Sequence, residues 1–401
     1  MMGRSPRLPR RLPRRDARVS RLGFWIPVGI LAWIYAGYPL AAAICGRIRP
    51  FRLTPTDHPP RQVTVGIVAR NEAGQIGSRI DDVRRQEVSF ELRILVASDG
   101  STDATRSIVQ AIAASDQRVR LLDLPAAGVS AAQAAIFGQS RSEVVVLTDA
   151  ETRFAPHCLE RLIGPFRDPR VGATTGRLEW RFDDETGTAR QEGRYWRYEQ
   201  LVRHFESEAG WLTAATTGAV LAVRRSCFRH GPAYASMDHL LPMFVRDQGL
   251  RVVAVQDARA TDRGTTGVED QFRSRSRIAT QGIAASLLMA RRLTPWRQPS
   301  AFLALWSHKL LRWATPWLLL MSSAGAIGQM RAGRRLYALP PAAGLGAVAM
   351  ATGGYLAGRR SGQPPPVSFP LAFALVNLAF VAGWLNLLRR RRIASWVHPD
   401  S

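Results

Sequence analysis

Long uncharged apolar runs lie at the two ends of the chain, and shorter apolar runs fill its middle. One long run covers residues 24–45, and three more cover residues 313–330, 336–357 and 366–388. A helix rises about 1.5 Å per residue, so about 20 apolar residues cross the hydrocarbon core of a bilayer. Arginine clusters separate the C-terminal runs, which is typical of membrane-spanning helices. The pattern predicts an integral membrane protein with one N-terminal and about three C-terminal transmembrane helices.

The segments that flank these runs are basic. An arginine-rich tail, residues 1–23, precedes the first run, and a second basic tail covers residues 389–401. Residues 300–312 combine Trp, His, Lys and Arg, which predicts an interfacial helix with its cations toward lipid phosphates. An ordinary amphipathic surface helix has the same composition. A cleaved signal peptide is the alternative for residues 24–45, but the run is long for one.

The polar middle, residues 61–290, has a different periodicity. Four short apolar runs lie in its first half, at residues 63–68, 94–97, 119–122 and 144–148. Helical patterns separate them, for example at residues 76–86 and 102–114. Strands that alternate with helices at this spacing predict an α/β fold with a parallel, doubly wound sheet. Ligands of such sheets bind at the carboxyl ends of the strands.

Polar residues follow three of these apolar runs. Asn71 and Glu72 follow the first run, Asp99 follows the second, and Asp149 and Glu151 follow the fourth. A turn with a helix cap is the alternative for the Asp99 segment. No dinucleotide-binding GxGxxG pattern and no Walker loop occurs in the sequence. A nucleotide diphosphate bound among these acids would therefore need a metal ion.

Composition and charge narrow the classes of function. The net charge is +24, and all but one of the 55 basic residues are arginines, which indicates compositional bias. Such a charge attracts anionic surfaces, but no nucleic-acid recognition motif accompanies it, so we expect membrane lipid and no nucleic acid as a partner. The three cysteines lie far apart and exclude a disulfide framework. A transporter is disfavoured because the long apolar runs contain no charged residue.

Several short motifs, taken together and in order, resemble the family 2 glycosyltransferases with a GT-A fold. Three of them, residues 63–72, 96–103 and 146–151, lie at the ends of apolar runs. Two more, residues 216–225 and 237–243, are similar to that family's acceptor-side segment and second acidic motif. The resemblance covers the whole polar middle. It implies a Rossmann-like GT-A domain that binds nucleotide-diphospho-sugars, attached to transmembrane helices.

The resemblance also implies an activity. Family members move a sugar from a nucleotide donor, commonly a UDP-sugar, to a hydroxyl of a lipid-linked or polysaccharide acceptor, with inversion. By this resemblance Asn71, Glu72 and Asp99 would bind the base and ribose of the donor. Asp149, with Glu151 in the second position of a DxD-type motif, would hold Mg²⁺ or Mn²⁺ against the diphosphate.

The second acidic motif supplies the expected catalytic base, Asp238, although Met237 stands where the family commonly has another acid. Processive members carry QxxRW, whereas this chain has Gln271 without the Arg-Trp pair. Arg277 fits an RxxxQG arrangement instead and would contact the donor's diphosphate; an exposed helix arginine is the alternative. These departures predict a non-processive enzyme. They also keep open a degenerate protein that binds a nucleotide sugar without transferring it.

Topology is predicted from the substrate. Nucleotide sugars are cytosolic, so we expect a multi-pass protein of the cell (inner) membrane with its catalytic domain facing the cytoplasm. With one helix before that domain, residues 1–23 would lie on the non-cytoplasmic side of the membrane. This tail carries eight arginines. The positive-inside rule favours the opposite orientation for this tail. We expect the orientation that the cytosolic substrate requires.

Overall fold

The computed structural model describes residues 14–181, 187–211, 216, 218–263, 268–361 and 368–389. The tails predicted at residues 1–23 and 389–401 lie mostly outside these residues. The described helices are α1 (Arg14–Ala32), α2 (Tyr38–Ile48), α3 (Ile76–Arg84), α4 (Thr105–Ser115), α5 (Val129–Gln139), α6 (Cys158–Ile163), α7 (Gly187–Glu208), α8 (Met237–Asp247), α9 (Val268–Ala290), α10 (Pro299–Ala304), α11 (Leu311–Trp313), α12 (Thr315–Arg331), α13 (Leu339–Ser361) and α14 (Ser368–Leu388).

A mixed sheet forms the centre of the polar middle. Its strands are β1 (Gln62–Ala69), β2 (Glu91–Asp99), β3 (Val119–Leu124), β4 (Val144–Asp149), β5 (Arg153–Phe154), β6 (Val171–Arg181), β7 (Leu221–Arg224) and β8 (Arg251–Arg263). They lie in the order β3-β2-β1-β4-β7-β6-β8-β5. Strands β1 to β4 are mutually parallel, whereas β7 is antiparallel to both β4 and β6. The predicted α/β fold is confirmed, but the sheet is mixed rather than parallel throughout, because β7 and β5 run antiparallel to their neighbours.

The first half of the sheet forms where the apolar runs predict strands. In β1 the side chains of Val63, Val65 and Ile67 are fully buried in one apolar cluster. The opposite face is covered as well, since a Cβ at Gly66 would lie 2.5 Å from the Ile136 side chain of α5. Strands covered on both faces read as continuous apolar runs, which is why the sequence identifies them.

The register of the parallel strands brings their carboxyl ends to one edge. Ala69 pairs with Ser98, and Val68 pairs with Asp149. Asp99, the last residue of β2, pairs with Leu124 at the end of β3. The loops after β1, β2 and β4 therefore emerge side by side, as ligand-binding loops do in open α/β sheets.

Three helical segments among the described residues are long and apolar enough to span a membrane. They are Arg18–Ile48, Arg335–Leu356 and Pro370–Leu388. The first combines α1 and α2 through a π-helical turn, Trp33–Gly37. The predicted span at residues 313–330 corresponds mainly to α12, which has 17 residues and is not among these three. A crossing by α12 stays a prediction.

Residues 300–312 form α10, a π-helical segment and α11, but their cations are oriented differently from the expectation. Lys309 Nζ lies 3.3 Å from the Glu199 carboxylate and Arg312 Nη1 lies 2.7 Å from it. His308 Nδ1 lies 2.7 Å from the carboxylate of Glu206. The expectation that these cations face lipid phosphates is therefore wrong, because carboxylates of α7 hold them inside the protein. Buried charges require such pairing.

Candidate active site

The loops after β1 and β2 hold each other in place. Asn71 has a left-handed backbone, with φ 57°, and its Oδ1 accepts a hydrogen bond from the Thr102 N–H at 2.8 Å. The Glu72 N–H donates to Thr105 Oγ1 at 2.8 Å. The structure thus brings Asn71 and Glu72 to the expected edge of the sheet, where their loop is fixed against the Asp99 loop.

Asp99 is buried at the end of β2 and organises the next loop. Its carboxylate accepts hydrogen bonds from the N–H groups of Ala127 at 2.7 Å and Gly128 at 3.0 Å. A carboxylate has about four lone-pair positions, so these bonds leave acceptor capacity for a ligand. Asn71, Glu72 and Asp99 do not line the cavity that contains Asp149 and Asp238, and their donor contacts stay a prediction.

One cavity has a volume of about 350 Å³, which is within the usual range for small-molecule sites. Asp149, Asp238 and Arg277 all line it. Asp149 ends β4, Asp238 lies in the first turn of α8, and Arg277 lies on α9. The fold thus brings together three residues that are 89 and 39 positions apart in the sequence.

Gln133, Thr216 and Gly218 lie close to Asp238. Gln133 Nε2 donates to its Oδ1 at 3.4 Å, and the hydroxyl of Thr216 donates to its backbone carbonyl. A Cβ at Gly218 would lie 2.4 Å from Asp238 Oδ2 and 2.5 Å from both Oδ1 and Cγ. Only glycine lets the chain approach the carboxylate this closely. The absence of a side chain at Gly218 therefore lets the backbone pack directly against the Asp238 carboxylate.

The acids of the site repel one another. Burial, together with the charges of Asp238, Asp262 and Glu151, raises the pKa of Asp149 to about 7. Burial also raises the pKa of Asp262 to about 6 and that of Asp238 above its ordinary value. For Asp238 the hydrogen bond from Gln133 and the charge of Arg277 oppose this change. Burial and mutual repulsion therefore favour the protonated forms of these acids, whereas a bound cation would favour their ionised forms.

These residues fit a divalent cation that is shared with a phosphate ligand. No group of three His, Cys, Asp or Glu side chains in the described part of the chain is placed to hold a metal ion by itself. Mg²⁺ commonly binds through one or two carboxylates together with the phosphates of a substrate. Asp149, with Glu151 two residues later, has the chemistry for such a site.

Arg277 is half-buried in the wall of the cavity and adds a positive charge near Asp238 and Asp149. Burial lowers the pKa of its guanidinium, while the charges of Asp238 and Asp149 act in the opposite direction. A guanidinium offers paired donors to phosphate oxygens. The exposed helix arginine, which the sequence leaves open, does not describe this side chain.

Three residues of the site have no clear signal in the sequence. Arg79 is fully buried, pairs with Asp82, and donates from Nη2 to Thr148 Oγ1 at 2.6 Å, directly before Asp149. An Arg-Asp pair three residues apart on a helix ordinarily indicates a solvated surface. Asp262 lines the cavity near the end of β8, a strand that the apolar runs do not identify. Gln133 contacts Asp238 from a helix 105 residues earlier.

The polar middle of the chain is similar to known proteins. Residues 64–231 match Glycosyl transferase family 2. An N-acetylglucosaminyltransferase of Rhizobium meliloti (strain 1021) is 27% identical over 202 residues, which are 47% of this chain and 47% of that protein. The Succinoglycan biosynthesis protein ExoA of the same organism is 33% identical over 95 residues, 23% of this chain and 29% of that protein. The chain thus spans about half the length of the first of these relatives, and less of the second.

A solved structure extends the similarity to most of the chain. The mannosyltransferase PcManGT from Pyrobaculum calidifontis, in complex with GDP-Man and Mn²⁺, matches with a TM-score of 0.65 at 21% identity. The match covers 92% of this chain and 100% of that one. At this identity the likeness shows the fold. Residues 64–231 therefore form a family 2 glycosyltransferase domain with the GT-A fold, in a chain whose long apolar helices fit a membrane-bound type.

Proposed function

We propose that the protein is an inverting, non-processive glycosyltransferase that moves a sugar from a nucleotide-diphosphate donor to a hydroxyl of a lipid-linked or polysaccharide acceptor. The observation that carries the proposal is the common cavity of Asp149, Asp238 and Arg277. This arrangement provides acids for a metal ion, a candidate base and a cation for a diphosphate within one enclosure.

The donor end of the site is assigned to Asp149 and Arg277. Asp149, with Glu151, would hold Mg²⁺ or Mn²⁺, and the metal would offset charge on the diphosphate as it leaves. Arg277 would donate hydrogen bonds to the same diphosphate. Asn71, Glu72 and Asp99 would bind the base and ribose, using the acceptor capacity that their loop contacts leave.

Asp238 is assigned as the base. Its carboxylate accepts the proton of the acceptor hydroxyl while that oxygen forms a bond to the anomeric carbon. The bond from that carbon to the diphosphate breaks on the opposite face, and its electron pair leaves with the nucleotide, which inverts the configuration. The raised pKa of Asp238 suits this role, since a base works best when its pKa approaches the working pH.

The relatives suggest which donors to test first. One relative is named N-acetylglucosaminyltransferase, and another is the Succinoglycan biosynthesis protein ExoA. These names favour UDP-N-acetylglucosamine and UDP-hexoses as the first donors to test. The structural neighbour contains GDP-Man, which makes GDP-sugars the second choice. The three apolar helical segments support a place in the inner membrane, with the domain toward the cytoplasm where nucleotide sugars occur.

Calorimetric binding of UDP, with and without Mn²⁺, tests the donor site. We expect wild-type protein to bind UDP in a Mn²⁺-dependent manner and Asp149→Asn to lose that dependence. Asp238→Asn should bind UDP normally and fail to transfer sugar. Binding without any transfer or donor hydrolysis by wild type would identify a degenerate, non-catalytic nucleotide-sugar-binding protein instead. Failure to bind UDP, GDP or their sugars would refute the proposal.

A further inference from the structure

The candidate metal motif lies in a very short connection between two strands. Asp149 is the last residue of β4, and β5 begins at Arg153, so Glu151 lies between the two strands. A site is most precise where rigid elements hold the residues around it. The contacts at the two ends of this connection therefore decide where the two carboxylates lie.

One arginine of α3 holds the end that precedes Asp149. The side chain of Arg79 is fully buried, and its Nη2 donates a hydrogen bond to Thr148 Oγ1 at 2.6 Å. The guanidinium carbon lies 4.0 Å from the centre of the Phe154 ring. Arg79 Nη1 also forms an ion pair with Asp82, which lies three residues later on the same helix. The guanidinium thus contacts one residue before the metal motif and one residue after it.

Asp82 holds the end that follows Glu151. Its Oδ2, which pairs with Arg79, also accepts a hydrogen bond from the Phe154 N–H at 3.0 Å. The backbone of β5 is thereby fixed to the same helix. A single ion pair on α3 therefore joins Thr148 to Phe154 across the motif.

The backbone between these two ends is held to α3 as well. Arg153 Nη1 donates to the carbonyls of Ala150 and Thr152, in each case at 2.9 Å. Arg153 Nη2 donates to Ser78 Oγ, also at 2.9 Å. The α3 residues that make all these contacts form what we call the α3 clamp, which consists of Ser78, Arg79 and Asp82.

A buried arginine costs free energy that an apolar side chain at the same position would not. Its neighbours Ile76, Ile80 and Val83 on α3 are fully buried in an apolar cluster. Burial lowers the pKa of Arg79 to about 10, which leaves the guanidinium charged at neutral pH. Its Nε has no hydrogen-bond partner in the part of the chain that the structure describes. Buried ion pairs are often no better for stability than apolar side chains of similar volume, so stability alone does not account for this pair.

We propose that Arg79 and Asp82 are positioning residues, which fix the carboxylates of Asp149 and Glu151 for a divalent cation. They act through the two ends of the connection and do not coordinate the cation themselves. This inference rests on the proposed function, in which Asp149 and Glu151 hold the metal ion. Residues that orient metal ligands typically change metal affinity about 10- to 100-fold when they are substituted.

Thr148→Val tests the inference with a small change, because it removes only the hydroxyl that accepts the hydrogen bond from Arg79. The assay titrates Mn²⁺ into protein that contains UDP and follows free Mn²⁺ by electron paramagnetic resonance. We expect the apparent Kd for Mn²⁺ to rise about tenfold in Thr148→Val. Thr148→Ser keeps the hydroxyl and should bind Mn²⁺ as wild type does. Arg79→Lys keeps the charge but loses the forked pair of donors, so it should raise the Kd by a similar factor.

Thr64→Val is the matched control. Thr64 is also a strand threonine, and its side chain is 2% exposed, as is that of Thr148. Its hydroxyl forms hydrogen bonds with the hydroxyls of Ser140 and Ser142. The two valine variants should therefore lose similar free energies of unfolding, while only Thr148→Val should weaken Mn²⁺ binding.

The possible outcomes are distinguishable. Unchanged Mn²⁺ affinity in both Thr148→Val and Arg79→Lys, with lower free energies of unfolding, would overturn the inference and leave the ion pair a role in the fold alone. Equal weakening of Mn²⁺ binding by Thr148→Val and Thr64→Val would overturn it too. Wild-type protein that binds no Mn²⁺ in the presence of UDP would instead refute the proposed function, and the role of the α3 clamp with it.

Discussion

Gly218 provides a sharp test of how Asp238 is supported. In Gly218→Ala the new Cβ would lie 2.4 Å from Asp238 Oδ2, whereas real Cβ contacts essentially never fall below 3.0 Å and are ordinary only from 3.4 Å. The carboxylate or the chain must therefore move by at least 0.6 Å, and by 1.0 Å for an ordinary contact. A displacement of about 1 Å at a reacting group can cost about 100-fold in rate.

We expect kcat of Gly218→Ala to fall about 10- to 100-fold while Mn²⁺-dependent UDP binding stays unchanged. Single-turnover transfer measures the chemical step, and calorimetry measures UDP affinity. Gly138→Ala on α5 is the matched control, since nothing lies within 4 Å of its Cβ position and we expect full activity.

A double-mutant cycle shows whether Gly218 acts through Asp238. On the Asp238→Asn background, Gly218→Ala should have little further effect on the rate, because the group that it displaces has already lost its function. Full activity of Gly218→Ala would refute the positioning argument. Equal losses in the presence and absence of the Asp238 carboxylate would show that the substitution acts on the fold instead.

The remaining predictions concern charge. Because the folded pKa of Asp149 is about 7, above its ordinary value, apo-protein stability should fall as pH rises from about 4 to 7. Denaturant unfolding should show this slope in wild type and a shallower slope in Asp149→Asn. Metal needs the ionised carboxylate, so Mn²⁺-dependent UDP affinity should rise between about pH 6 and 8; a flat profile would contradict this. Glu199→Gln removes the buried partner of Arg203, Lys309 and Arg312 and should cost about 3–5 kcal/mol in unfolding experiments. Asp123→Asn, at an exposed pair, should cost about 1 kcal/mol or less, and equal losses would contradict the burial argument.

The parallel half of the sheet was predictable because its signal is local. The apolar runs at residues 63–68 and 144–148 became β1 and β4, and the helical pattern at residues 102–114 became α4. The strands in the second half of the sheet were harder to predict. The 13-residue strand β8 carries charged side chains and pairs with β6 through register shifts, so its alternation is irregular. Period-2 patterns identify regular, half-buried strands best.

The residues of the candidate site also differ in whether the sequence alone could identify them. Asp149 was predictable because it directly follows a buried strand, and Asp238 because a family motif surrounds it. Arg79 was not, because its burial depends on Thr148 and Phe154, which lie about 70 residues away and surround its guanidinium. Only the folded chain distinguishes this arginine from the many solvated ones in so basic a sequence.

Helix α7 explains why the membrane segments and the cavity belong together. Trp196, Glu199, Arg203 and Glu206 recur at the spacing of one helical face. The first three line the cavity, while Glu199 pairs with Lys309 and Arg312 and Glu206 contacts the His308 ring. Glu206 also accepts a hydrogen bond from the hydroxyl of Tyr38 on α2 at 2.6 Å. The same face of α7 therefore lines the cavity and contacts both α2 and residues 300–312. The position of Trp196 consequently depends on contacts that the domain would lack without these two segments.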